Sequence, residues 1–107
     1  MISVILPVYN AGHYVKDSIA SILQQTERNI ELIVVNDGST DNSEEIILSF
    51  NDERIRYVKH ETNKGVAAAF NEGLKIAKGD YITFHGADDL SLPNRFERLL
   101  AEFCCEQ

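Results

Sequence analysis

Apolar and polar residues alternate along the chain between two patterns. Four short segments rich in Val, Ile, Tyr and Phe predict β-strands over 3–8, 31–36, 56–60 and 81–85. Between them, apolar residues recur at helical spacing and predict amphipathic helices. The predicted buried faces of these helices are Val15, Ile19, Ile22 and Leu23; Ile46, Ile47 and Phe50; and Val66, Phe70, Leu74 and Ala77. A last helix is predicted from Pro93, with Phe96, Leu99, Leu100 and Phe103 on its buried face.

This alternation predicts the element order βαβαβαβα. Strands that are joined by helical crossovers pair in parallel through right-handed connections. The fold class is therefore predicted to be α/β, with a Rossmann-like, doubly wound and mostly parallel sheet that has helices on both faces. A chain of 107 residues suits a single domain over 1–107.

Charge and apolar content exclude several classes of partner. The net charge is -7, and the basic residues are scattered rather than clustered, so we expect no nucleic-acid partner. A phosphorylated ligand would need a local cation, either a lysine or a bound metal. The apolar run 2–8 is too short to span a bilayer and lacks the features of a signal peptide, so no membrane segment is expected.

The cysteines indicate the compartment. Cys104 and Cys105 are adjacent, and a bridge between neighbouring residues would be strained and would close almost no loop. We interpret them as free thiols at a helix end, which is typical of a reducing, cytoplasmic location.

The unusual polar residues follow the predicted strands directly. They are Tyr9 and Asn10 after the first; Asp37, Gly38, Ser39 and Thr40 after the second; Asn63, Lys64 and Gly65 after the third; and Asp88 and Asp89 after the fourth. The carboxyl ends of parallel strands meet at one edge, where open α/β sheets bind ligands. We therefore expect one pocket to hold these residues.

Each motif also has a structural interpretation. The segment 37–41 suits a turn and a helix cap, and 63–65 suits a turn into a helix. His13 and His60 carry no functional signal, and His85 is interpreted as a hydrogen-bonded strand residue. The sequence contains neither G-x-G-x-x-G after the first strand nor G-x-x-x-x-G-K-[ST], so dinucleotide-binding and P-loop functions have no support.

Five segments in order carry a resemblance to a known family. They are S-V-I-L-P-V-Y-N (3–10), E-L-I-V-V-N-D-G-S-T-D (31–41), N-K-G-V-A-A-A (63–69), A-K-G-D-Y-I (77–82) and A-D-D (87–89). Together they resemble family 2 glycosyltransferases of the GT-A fold over nearly the whole chain. The resemblance implies transfer of a sugar from a nucleotide-diphosphate donor, with UDP-sugars favoured, to an acceptor hydroxyl with inversion.

The resemblance also implies roles for individual residues. Tyr9, within Pro7 to Asn10, would lie against the pyrimidine ring, and Asp37 would accept a hydrogen bond from the ring N–H. The other residues expected to bind the substrate are Pro7, Asn10, Lys64 and Asp89. Asp88 matches the last carboxylate of the Asp-x-Asp motif, which would hold Mg²⁺ or Mn²⁺ against the diphosphate.

Three residues depart from the family pattern. Gly86 stands where the first Asp of Asp-x-Asp is usual, and this is expected to weaken the metal site. Phe70 stands where Arg is common and removes a cation from the donor site. Asn36 replaces the frequent first Asp of the Asp-Asp-Gly-Ser segment.

The chain is shorter than the family's domains, which continue into an acceptor-binding half that carries the general base. We therefore expect a truncated domain that binds donor and metal and contains no catalytic base. The alternative is a non-catalytic nucleotide-sugar-binding or assembly module. A homodimer is expected to cover the sheet edge and the apolar surface that such a truncation exposes.

Overall fold

The structure is a computed structural model that describes residues 1–87 and residue 98. Its elements are β1 (Ile2–Val8), α1 (Val15–Leu23), β2 (Ile30–Asp37), α2 (Ser43–Leu48), β3 (Ile55–His60), α3 (Val66–Ile76) and β4 (Tyr81–Phe84). The four predicted strands are confirmed to within one residue at each end. The helix predicted from Pro93 and the two adjacent cysteines lie outside the described residues.

The strands form one sheet in the order β3-β2-β1-β4, and every described pairing is parallel. This confirms the predicted α/β fold with a parallel sheet. β1 pairs with β2 from Ile2 opposite Ile30 to Val8 opposite Asn36. All of the carboxyl ends therefore lie along one edge of the sheet, as expected for a ligand-binding edge.

Helices cover both faces of the sheet. Successive side chains of a strand point to opposite sides, so each face has its own cluster of apolar residues. On one side, Leu6 and its alternate neighbours pack in a cluster with Ile19 of α1 and Ile47 of α2. On the other side, Ile5 packs with Ala69 of α3. The predicted buried face of α1 is confirmed. Phe50, predicted to lie on the face of the second helix, packs against the core just beyond the end of α2.

The predicted buried face of α3 is confirmed in part, because Phe70 and Ala77 pack against the cluster that contains Ile5. Val66 is 61% exposed and Leu74 is 38% exposed, whereas the buried residues of this helix are Ala69 and Gly73. An added Cβ on Gly73 would lie 2.7 Å from Cγ2 of Ile5, so glycine allows α3 to pack closely on β1. The helix thus presents small residues to the sheet, and its larger apolar residues are left partly exposed.

An apolar surface results along α3 and β4. The rings of Phe70 and Phe84 are in contact, with centroids 5.3 Å apart, and Ile82 and Phe84 are 46% and 44% exposed. A shallow depression of about 400 Å³ lies between Val66, Ala67, Phe70 and Phe84. In the part of the chain that is described, no helix has the length and apolar character needed to cross a membrane.

Candidate nucleotide site

The loops after β1 and β2 are tied together by side-chain hydrogen bonds. Asn10 has a positive φ of 50°. Its backbone N–H donates to the Ser39 hydroxyl at 3.0 Å, and its Oδ1 accepts from Thr40 N–H at 2.8 Å. Two residues further on, Gly12 N–H donates to Oδ2 of Asp41 at 3.0 Å. These motif residues therefore hold the two loops in place, which agrees in part with the structural interpretation of segment 37–41.

A glycine then lets the loop after β3 approach the end of β2. Gly38 has a φ of 72°, and an added Cβ would lie 2.5 Å from the backbone N of Asn63. A side chain at this position would therefore collide with the backbone of the neighbouring loop, and the positive φ itself disfavours other residues. The close approach brings segment 63–65 beside the Asp37 side chain.

Asp37 is buried, with 3% of its surface exposed, and three described donors surround its carboxylate. Oδ1 lies 2.9 Å from Nδ1 of His60 and accepts the N–H of Lys64 at 2.9 Å. Oδ2 accepts the N–H of Gly65 at 2.8 Å. Because Gly65 immediately precedes α3, the carboxylate also faces the positive end of that helix.

These contacts keep the carboxylate ionised. Burial alone would raise the pKa of Asp37, but the hydrogen bonds from His60 and from the two backbone N–H groups outweigh it, so the pKa lies below its ordinary value. At neutral pH Asp37 is therefore a buried, charged group that can only accept hydrogen bonds.

A cavity of about 250 Å³ opens beside Asp37. It is lined by Pro7, Val8, Tyr9, Asp37, Asn63, Gly65 and Val66. Tyr9 is 50% exposed, so part of its ring is available to a ligand. Three residues expected to bind the substrate, Pro7, Tyr9 and Asp37, are therefore brought together at one cavity.

Two other expected site residues are placed differently. Asn10 lines an adjacent cavity of about 300 Å³ together with Pro7, Tyr9, Ala11, Tyr14 and Ala87. The single pocket expected from the sequence is thus divided into two cavities that share Pro7 and Tyr9. Lys64 is exposed, and its described contribution to the site is the backbone N–H that it donates to Asp37.

The chain just after β4 is anchored to α1. His85 is 1% exposed, and its Nδ1 lies 2.8 Å from the carbonyl oxygen of Gly86 and 3.2 Å from Oγ of Ser18. The Ser18 hydroxyl donates to the same carbonyl at 3.0 Å. His85 is therefore a buried, hydrogen-bonded residue, as the sequence analysis expected.

The expected metal ligand Asp88 and its neighbour Asp89 lie outside the described residues. Within residues 1–87 and residue 98, no group of three or more His, Cys, Asp or Glu side chains is arranged to hold a metal ion. Gly86 supplies no ligand side chain in this segment, so the described residues alone do not build a cation site.

Asn36 is buried beside the site and belongs to a second hydrogen-bond network, which extends to the partly exposed Glu44 and Lys59. Its Nδ2 donates to the Tyr57 hydroxyl at 3.0 Å, and that hydroxyl donates to Glu44 at 2.6 Å. Lys59 forms an ion pair with the same Glu44 oxygen at 3.1 Å. Burial and the Glu44 carboxylate raise the pKa of Tyr57 to about 12. Asn36 stands where the resemblance implies Asp. Its amide is thus hydrogen-bonded to the phenol of β3, and that phenol is hydrogen-bonded to the carboxylate of α2.

Sequence reasoning missed His60. The sequence alone gives this residue no functional signal, but it is 8% exposed and contacts the carboxylate at the site. The register of the sheet supplies the missing signal, because Asp37 and His60 end adjacent strands and lie opposite each other. Two polar residues that end neighbouring parallel strands are candidates for direct contact.

Comparison with known proteins identifies relatives along nearly the whole chain. The sequence profile of glycosyl transferase family 2 matches residues 3–106. Glycosyltransferase GlyG of Streptococcus pneumoniae is 46% identical over 101 residues, covering 92% of this chain and 34% of the relative. The chain thus spans about a third of the length of this curated relative.

Solved structures show the same fold. The structure of S. aureus TarS 1-349 in complex with UDP matches with a TM-score of 0.86 at 30% identity, covering 94% of this chain and 31% of that one. Mannosyltransferase PcManGT from Pyrobaculum calidifontis, in complex with GDP-Man and Mn²⁺, matches with a TM-score of 0.77 at 26% identity. That match covers 83% of this chain and 28% of the neighbour.

Proposed function

Because the chain belongs to glycosyl transferase family 2, we propose that it binds the nucleotide of a sugar donor and supplies the donor half of a glycosyltransferase. The observation that carries this proposal is the cavity of about 250 Å³ between Tyr9 and Asp37. It combines a partly exposed aromatic ring with a buried carboxylate at the carboxyl edge of a parallel sheet. That combination suits a nucleobase, which offers a flat face and polar ring edges.

The base in our proposal is uracil. Tyr9 would cover one face of the ring, and Asp37 would accept a hydrogen bond from the imide N–H. The complex of the neighbour TarS with UDP supports this assignment. The GDP-Man complex of PcManGT shows that another structural neighbour takes a different nucleotide, so base selection must come from local residues such as these.

The diphosphate in our proposal is held with the help of a divalent cation. The chain has a net charge of -7, and such a field opposes the binding of a phosphorylated ligand. Asp88, with Asp89 beside it, is the proposed carboxylate for Mg²⁺ or Mn²⁺, and the Mn²⁺ complex of PcManGT supports the use of a metal. The metal would offset the charge of the diphosphate when bound. Gly86 makes this a weaker site than two carboxylates would provide.

The reaction that we propose for the whole protein is transfer to an acceptor hydroxyl with inversion. A base must remove the acceptor proton as the hydroxyl attacks. We assign no residue of this chain to that role, since the chain corresponds to about a third of GlyG.

Calorimetric titration with UDP, with and without Mn²⁺, tests this function. The parent chain should bind UDP, and Mn²⁺ should tighten binding. Tyr9→Ala should weaken UDP binding by about 1 kcal/mol because the stacking face is lost. Asp88→Asn should abolish the gain from Mn²⁺. Leu48→Ala is the control, since Leu48 is similarly exposed at 60% and lines neither of the two cavities described above.

Absence of UDP binding by the parent chain would contradict the nucleotide proposal. Equal affinity of the parent and Tyr9→Ala for UDP would remove Tyr9 from the site. UDP binding that does not respond to Mn²⁺ would count against a metal at Asp88.

A second candidate is a non-catalytic binding or assembly module. The apolar surface on α3 and β4 favours it, because Val66, Ile82 and Phe84 are each more than 40% exposed. Such a surface is typical of a site covered by another chain, and a two-fold homodimer is the simplest arrangement. Light scattering over a range of concentrations tests this, and a monomer at every concentration would exclude the homodimer.

A further inference from the structure

The Asp37 carboxylate has little capacity left for a ligand. A carboxylate offers about four acceptor positions on its two oxygens. Oδ1 is used by His60 and by the Lys64 N–H, and Oδ2 is used by the Gly65 N–H. The two oxygens are therefore not equivalent, because among the described residues 1–87 and 98 Oδ2 retains a free acceptor position and Oδ1 does not.

His60 accounts for this difference. Each oxygen accepts one of the two backbone N–H groups. The additional contact of His60 at 2.9 Å is therefore what gives Oδ1 more hydrogen-bond partners than Oδ2. The ionised carboxylate cannot donate, so Nδ1 of His60 must carry the hydrogen. His60 is 8% exposed and ends β3 directly opposite Asp37, so the sheet itself holds the ring in position.

We propose that His60 is a positioning residue that leaves Oδ2 of Asp37 as the single oxygen available to read the nucleobase. The inference rests on the function proposed above and deepens it, because it assigns base selection to a pair of residues rather than to Asp37 alone. His60 acts through Asp37 and has no assigned contact with the substrate.

The chemistry of the bases explains why such positioning matters. Uracil presents N3–H, a donor that fits one free acceptor on an ionised carboxylate. Cytosine presents a lone pair at N3, which the same oxygen repels. Without the His60 donor, one acceptor position on Oδ1 becomes free and the carboxylate is less firmly oriented. The burial that raises the pKa of Asp37 would also be less well offset, and a protonated carboxyl could donate to cytosine.

The test compares UDP and CDP binding in the parent and three variants of the 107-residue chain. His60→Leu fills the position with an apolar side chain of moderate size and removes the donor. His60→Asn keeps a donor, since the amide nitrogen of asparagine can stand near the place of Nδ1. Glu61→Leu is the matched control, because Glu61 is the exposed neighbour of His60.

The ratio of UDP to CDP affinity should fall about tenfold in His60→Leu, the size expected for losing one hydrogen bond to a charged group. His60→Asn should restore most of the ratio, and Glu61→Leu should leave it unchanged. Pyrophosphate affinity, measured as the probe of the phosphate region, should be the same in all forms. Nitrogen NMR should show the proton of His60 on Nδ1 in the parent without nucleotide.

Several outcomes separate this inference from the proposed function. If the parent prefers UDP and His60→Leu keeps that preference, the positioning role is overturned while the nucleotide site stands. Equal weakening of UDP and CDP would indicate a purely structural role and also overturn it. A proton on Nε2 alone would exclude the hydrogen bond itself. If the parent binds neither nucleotide, the proposed function fails, and this inference fails with it.

Discussion

Strand β2 carries a buried carboxylate near each end, and the two differ in what surrounds them. Near the start of the strand, Glu31 is 6% exposed and accepts hydrogen bonds from the Ser3 hydroxyl, the Lys78 N–H and the Arg56 guanidinium. Arg56 also donates to the carbonyl of Ile76, the last residue of α3, at 2.6 Å. This network fastens the end of α3 to the amino edge of the sheet.

At the other end of the strand, Asp37 has equally many described partners. They are the ring N–H of His60 and two backbone N–H groups. Burial raises the pKa of both carboxyls, and in both cases hydrogen bonds outweigh it and hold the pKa below its ordinary value. Only Asp37 borders the cavity that contains the partly exposed Tyr9.

The comparison shows that a buried carboxylate with a lowered pKa does not by itself mark a functional site. Each end of β2 has such a carboxylate, because polar side chains near strand ends can accept hydrogen bonds from the backbone of neighbouring loops. The carboxyl edge adds a cavity and an aromatic face, and there the loops are brought together by Gly38 and Asn10. Our proposal therefore assigns nucleotide binding to Asp37 from its surroundings rather than from its charge.

The largest expected effect is at the amino edge. Glu31→Ala should lower the free energy of unfolding by about 3 kcal/mol, because Arg56 and Ser3 would lose a buried charged partner. Urea unfolding measures this change. UDP titration of the folded variant should give the same affinity as that of the parent. A matched control is Glu72→Ala, which removes an exposed contact of 3.8 Å to Lys75 and should change stability by less than about 0.5 kcal/mol.

If Glu31→Ala altered UDP affinity while the chain remained folded, the two ends of β2 would be coupled. The contrast between a structural carboxylate and a site carboxylate would then be wrong.

At the carboxyl edge, Asp37→Asn should affect both stability and binding. Its amide has a single acceptor oxygen, so at least one of the three donors around it loses its partner, and we expect a loss of about 2 kcal/mol in stability. UDP affinity should fall at least about tenfold, since the amide lacks the charge that the imide N–H would meet. Calorimetry and urea unfolding on the same samples measure the two effects.

Asp41→Asn is the control for this change. Asp41 also accepts hydrogen bonds within the loops, from Gly12 N–H and from Ser43, but it does not line the cavity. It should lose stability and keep UDP affinity. Equal losses of affinity in the two variants would mean that any disturbance of these loops impairs binding.

Much of the fold was predictable from the sequence because the strands are short apolar runs with clear boundaries. Segments 3–8 and 31–36 lie in the centre of the sheet and are buried, so their apolar pattern is strong. The buried face of α3 was predictable only in part in this way, since Phe70 and Ala77 pack on the core as expected. Periodicity selects the largest apolar residues, such as Val66 and Leu74, whereas close packing on Ile5 requires the small residues Ala69 and Gly73.

The candidate site was predictable in part from the order of the strands. Parallel topology alone places Tyr9 and Asp37 at one edge, and the structure brings them to one cavity. His60 was missed because a histidine at a strand end has no pattern of its own, and its role depends on the register between β2 and β3. The use of Asn10 within its loop was also missed, since a side chain that holds a loop and one that binds a ligand have the same sequence signature.

Acid titration tests how much the two buried carboxylates of β2 contribute to stability. The pKa values of Glu31 and Asp37 in the folded chain lie below their ordinary values of 4.5 and 3.8. Their contribution to stability is therefore present above those values and is lost as the pH falls through the lower, folded values. The free energy of unfolding should decline below about pH 4.5. Glu31→Gln should make that decline shallower, and urea unfolding at stepwise lower pH measures it. Parallel curves for the parent and the variant would show that Glu31 contributes nothing to the pH dependence.

The smallest expected effect concerns Asn36, the third buried polar residue of β2. The Tyr57 hydroxyl has one hydrogen and gives it to Glu44, so its oxygen can only accept from Asn36. Asn36→Asp would set an unprotonated carboxylate against that oxygen while keeping the Oδ1 that accepts the Ser39 N–H. We expect stability to fall by about 1 kcal/mol.

A double-mutant cycle with Tyr57→Phe tests the cause, because removing the phenol oxygen removes the conflict. Asn36→Asp should then cost clearly less in the Tyr57→Phe background than in the parent. If the cost is the same in both backgrounds, the phenol is not the reason, and proximity to the Asp37 carboxylate becomes the explanation. A smaller cost with phenylalanine would show that Tyr57 and Glu44 together require an amide where the family commonly has Asp. Asn36 would then be a structural adaptation to α2 and β3 rather than a change in the nucleotide site.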